Sequence, residues 1–186
     1  MRKPMFSRWR QNRTRREQAK RLYDRAVAAA RRPVFYDVFG VPDTVDGRFD
    51  ALILHVFALI HSLDGRDEPA AAELQQRVQE CMVVDFDRSL REAGVGDLSV
   101  GKKIKSMAQA FGGRFEGYRA ALIGDRDLAE AVARNLFGVE TIDDAPHAKA
   151  MADYLCQAID HLAAEPVERF EADRITFPSP RAETAA

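Results

Sequence analysis

The chain has two cysteines, Cys81 and Cys156, far apart and outside any C-x-x-C pair, so it carries no disulfide framework and no thiol redox motif. This usage fits a reducing, cytoplasmic-type compartment, and both thiols read as small core residues. Long apolar runs are also missing. The longest, residues 51–60, is interrupted by His55 and ended by His61, far short of the roughly 20 residues that cross a bilayer; it reads as a buried helix. The four histidines include no pair three or four residues apart, the helical spacing that would place two metal ligands on one face. Gly101-Lys102-Lys103 lacks the glycine spacing and the preceding strand of a phosphate loop. Asp85 and Asp87 resemble an acid pair, but residues two apart on a helix point away from each other. No catalytic residue, cofactor, metal site or small-molecule substrate is therefore expected. The first residues lack the apolar centre of a secretory signal, although their Arg-rich, acid-poor character is like a mitochondrial presequence.

What is present is helical periodicity and segregated charge. With 186 residues, 46% of them hydrophobic, the chain can bury one core. No convincing period-two strand and no solenoid repeat occurs, so the class is all-α. Residues 1–32 hold twelve Arg or Lys against Glu17 and Asp24, a net +10, and the overall charge of −1 leaves −11 for the rest. The expected organisation is a basic N-terminal helical arm (1–32), a multi-helix domain (33–170) and a mobile C-terminal tail (171–186). Arg13, Arg15, Arg16 and Lys20 are the candidates for localising the chain electrostatically at an anionic membrane surface or a ribosome. A ribosome or nucleic-acid binder driven by this arm is one alternative function. A haem-handling protein with His55 as axial ligand is another, against the plainer reading of His55 as a hydrogen-bonded structural histidine.

The most informative stretch is residues 85–122. Asp87 can reach Arg91, and Arg88 can reach Glu92, at the four-residue spacing. Gly94 can take the left-handed conformation that ends a helix, and Gly96 lets the chain reverse before Ser99, the expected cap of the next helix. Val100, Ile104, Met107, Ala108, Phe111, Phe115, Tyr118 and Leu122 then form the cleanest apolar stripe in the chain, with Lys102, Lys105 and Gln109 opposite. Gly112-Gly113 interrupts this helix at about 1 kcal/mol per glycine relative to alanine, a cost that a kink or the close approach of another backbone would explain. Spacing alone leaves open whether Arg114 braces the hairpin or faces a partner. Arg91, Asp97, Lys102, Lys105 and Arg114 are the candidate partner-binding residues.

Phe35-Tyr36, the string PDT-x-x-GRFD (42–50) and the string LRE-x-GVGDL-x-VGK (90–102), followed by Met107, Phe111, Arg114 and Tyr118, resemble the ubiquinol-cytochrome c chaperone family over roughly residues 33–140. The resemblance implies a helical, non-enzymatic protein of respiratory complex III biogenesis that holds newly made cytochrome b. Its mitochondrial members work with a small partner near the ribosomal exit. The implied location is cytoplasmic and peripheral at the inner membrane face in a bacterium, or the mitochondrial matrix in a eukaryote.

Overall fold

In the computed structural model, the described residues are 5–180, with side chains described from residue 13 onward. Among them every regular element is helical: α1 (Met5–Ala30), α2 (Pro33–Asp37), α3 (Val45–His61), α4 (Pro69–Glu92), α5 (Asp97–Leu122), α6 (Leu128–Val132), α7 (Ala148–Ala163) and α8 (Val167–Glu171). A π-helical turn, Ala133–Phe137, extends α6, and a 3₁₀ turn, Ile142–Asp144, precedes α7. The chain is all-α, as the periodicity implied.

The centre of the molecule is α3, whose residues 53–60 are all buried. A helix that is apolar on every side must be surrounded, and α1, α4, α5 and α7 all pack against it. Its start explains the string at residues 42–50. Thr44 caps α3 by accepting a hydrogen bond from the Gly47 amide at 3.1 Å, and Arg48 pairs with Asp43 at 2.5 Å, holding that carboxyl below its usual pKa. A Cβ on Gly47 would lie 2.0 Å from the Pro42 carbonyl oxygen, so only glycine fits there.

The expected boundary at residue 32 is not a break in packing. Ala19, Leu22, Tyr23, Ala26, Ala29 and Ala30 are buried in the main core, so α1 enters the body well before its end. At the other end, Ile175 and Phe177 are buried, and Arg32 donates to the carbonyls of Phe177 (3.0 Å) and Pro178 (2.7 Å). The segment expected to be a tail from residue 171 thus begins as packed chain, because Ile175 and Phe177 alternate inward. Residues 181–186 lie outside the described residues.

Candidate functional site

The corner between α4 and α5 is built by glycine. Gly94 has φ of 78°; the Val95 amide donates to Leu90 O and the Gly94 amide to Arg91 O, both at 3.0 Å, the paired bonds of a Schellman ending. Gly96 is the N-cap of α5 and offers no side chain. Ser99, expected as the cap, lies inside the first turn instead, where Asp97 complements the free amides of the helix start.

The five residues expected to meet a partner fall in three environments. Arg91 is exposed and holds Asp87 at 2.7 Å and Asp97 through a second nitrogen. Its hydrogen bond keeps the Asp87 carboxyl below the usual range. Lys102 and Lys105 are exposed, as is Lys103, and none of the three has an ion-pair partner among the described residues. Arg114 is different. It turns inward to Asp50 on α3, 2.7 Å away, with its guanidinium 5.6 Å from the centre of the Phe49 ring.

The contact between Asp50 and Arg114 is an ion pair rather than an aligned hydrogen bond, and the Tyr118 hydroxyl is buried in the same region without a partner. Burial pushes the Asp50 carboxyl up to about 6, against the opposing pull of Arg114, and also raises the Tyr118 phenol. Around this polar centre the rings of Phe57 and Phe115 meet at 4.8 Å, Phe57 and Tyr118 at 5.2 Å, and Phe49 and Phe86 at 5.3 Å. Arg114 and Asp50 therefore anchor the hairpin to the body, tying α5 to the end of the string at residues 42–50.

Beyond this anchor the hairpin is less covered than its stripe suggests. Met107, Phe111 and Phe115 pack only partly against the core, Ile104 is half-buried, Ala108 is exposed and Leu98 is 101% exposed. A Cβ at Gly101, Gly112 or Gly113 would meet nothing within 4 Å, and α5 runs unbroken through all three. Among the described residues, neither close approach nor a helix break accounts for these glycines. Leu98 was overlooked in the sequence, although its position off the stripe that starts at Val100 was a usable signal.

The localising residues are mostly engaged. Arg13 pairs with Glu17 at 2.9 Å and Lys20 with Asp24 at 2.5 Å, while Arg15 is tucked between Glu73 (3.1 Å) and Glu171 (3.5 Å). Arg16 is exposed and pairs with no carboxylate among the described residues.

His55 is fully buried, and both ring nitrogens are occupied: Nδ1 donates to Ala51 O at 2.7 Å and Nε2 accepts from the Tyr154 hydroxyl at 3.0 Å. Burial lowers its pKa to about 4, so the ring is neutral and has no lone pair left for iron. Among the described residues no cluster of three or more His, Cys, Asp or Glu could hold a metal, and no helix is long and apolar enough to cross a membrane.

Comparison with known proteins agrees with this architecture. No curated protein sequence matches the chain. The crystal structure of the Cbp3 homolog from Brucella abortus is 35% identical, covering 95% of this chain and 96% of that one, with a TM-score of 0.78. The family model described as ubiquinol-cytochrome C chaperone matches residues 37–177, extending beyond the stretch that carries the sequence resemblance. The chain thus belongs to the ubiquinol-cytochrome c chaperone family.

Proposed function

We propose that this chain is an assembly chaperone for ubiquinol-cytochrome c reductase, complex III, that holds newly made cytochrome b on its α4–α5 hairpin. Family membership supports the complex III role. The observation that carries the hairpin assignment is the open space over Gly101, Gly112 and Gly113, three residues that weaken the helix by about 1 kcal/mol each relative to alanine without a packing reason among the described residues. Beside them lie unpaired Lys102, Lys103 and Lys105, half-covered Ile104, Met107 and Phe111, and exposed Leu98. Such a surface suits an apolar client segment with polar flanks: small residues admit close backbone approach, apolar side chains give contact area, and lysines orient the segment.

Family membership supports action by holding, and the ion pairs of Arg91 and Arg114 give the hairpin structural anchors. Capture of the tagged chain from membranes actively making cytochrome b tests the reading. Enrichment of cytochrome b over other membrane proteins is the expected result; no enrichment removes the client assignment.

A further inference from the structure

A second surface lies on another face of the molecule and is independent of the hairpin reading. Helices α1 and α4 run side by side in the same direction, joined by Arg15 and Glu73 near one end (3.1 Å) and by the Tyr23 hydroxyl donating to Asp85 near the other (2.9 Å). Between them is an open groove of about 720 Å³. Its floor includes Cys81 and Val84, and Val84 is 56% exposed. Arg77, Cys81, Val84 and Arg88 recur at four-, three- and four-residue steps, one stripe along α4, while Arg16, Lys20 and Arg21 form the facing wall on α1. From Arg77 to Arg88 the groove is about 16 Å long, three helical turns.

The charges in this groove are unequal in their satisfaction. Each lining acid has a donor: Glu17 has Arg13, Glu80 has Gln76, and Asp85 has both Tyr23 and Arg88. Lys20 and Arg77 are likewise engaged, by Asp24 and Glu73. Arg16 and Arg21 have no carboxylate partner among the described residues. A groove with an apolar floor, three helical turns long and with unmatched guanidinium groups on one wall is complementary to a helix with an apolar stripe and acidic flanks.

We propose that the α1–α4 groove binds an acidic amphipathic helix from another polypeptide. The apolar stripe of that helix covers Cys81 and Val84, and its carboxylates pair with Arg16 and Arg21. The geometry calls for a segment of about 11 contacting residues, laid along both helices. Val84 already offers exposed apolar surface for this contact, while Cys81 lies buried beneath it.

The test uses the full chain carrying a photocrosslinking side chain at Val84. The probes are two synthetic helical peptides of about 18 residues with the same leucine stripe, one flanked by Glu and one by Lys. The Glu-flanked peptide is expected to crosslink at Val84, and the double substitution Arg16→Glu, Arg21→Glu is expected to weaken its binding by about tenfold or more without changing thermal unfolding. Equal crosslinking by the Lys-flanked peptide, absence of crosslinking by either, or indifference to the double substitution would overturn the proposal. Stronger competition by anionic vesicles, by an oligonucleotide or by a second copy of the chain than by the free Glu-flanked peptide would also overturn it, assigning the groove to that occupant.

Discussion

Replacing Arg114 with methionine isolates the charge pair that anchors the hairpin, since methionine keeps an unbranched apolar stem against Phe49 and removes only the guanidinium. Asp50 is 8% exposed, and its carboxyl titrates at about 6 instead of 3.8 because burial outweighs the attraction of Arg114, with Asp46 adding to the rise. A carboxyl whose folded pKa is raised stabilises the fold fully below its unfolded pKa and loses that contribution as pH climbs through the folded value. In wild type this loss falls between about pH 4 and pH 6. Without Arg114 the folded pKa rises further, so the loss continues above about pH 6 at up to about 1.4 kcal/mol per pH unit. By about pH 8 the extra deficit reaches at most about 3 kcal/mol, the lower end of the range for a buried charge stripped of its partner. His55 has the opposite sign, because its folded pKa of about 4 lies below 6.5 and costs stability as pH falls through that interval. The two groups offset each other in wild type, so the quantity to measure is the difference between variant and wild type. Urea unfolding followed by circular dichroism at about pH 5 and about pH 8 gives it directly. A larger deficit at the higher pH is expected; the same deficit at both would refute the assignment of Asp50 and Arg114 as a coupled buried pair.

Two glycine substitutions should move stability in opposite directions. Gly47→Ala forces a methyl against the Pro42 carbonyl and should lower stability by about 1–3 kcal/mol, whereas Gly112→Ala, in open space, should raise it by up to about 1 kcal/mol while reducing cytochrome b capture; thermal melts and capture assays check both. Haem titration should give no Soret band that depends on His55, because both its ring nitrogens are held, and a band lost in His55→Ala would contradict that structural role.

Local rules in the sequence account for much of the fold. The Gly94 ending and the run buried in α3 follow from periodicity and backbone preference, which act within a few residues. What could not be read locally was pairing across the chain. Asp50 and Arg114 belong to different helices, and nothing in the spacing of either reports the other. The tail shows the same limit, since Phe177 looks like loop sequence until its ring is found 5.4 Å from that of His55. Asn135 is a third case. The π-helical turn places its side chain where a Cβ on Gly117 would stand, 2.8 Å away, a fit between two elements that neither predicts alone.

The hairpin assignment is tested most directly by crosslinking from Leu98. A photoreactive side chain placed there, compared with one at exposed Glu168 on α8, reads client proximity in membranes making cytochrome b. The account anticipates crosslinks to cytochrome b from position 98 well above those from position 168, and their loss when Lys102 and Lys105 are both changed to Glu. Equal yields from the two positions, or yields indifferent to the lysine changes, would contradict it.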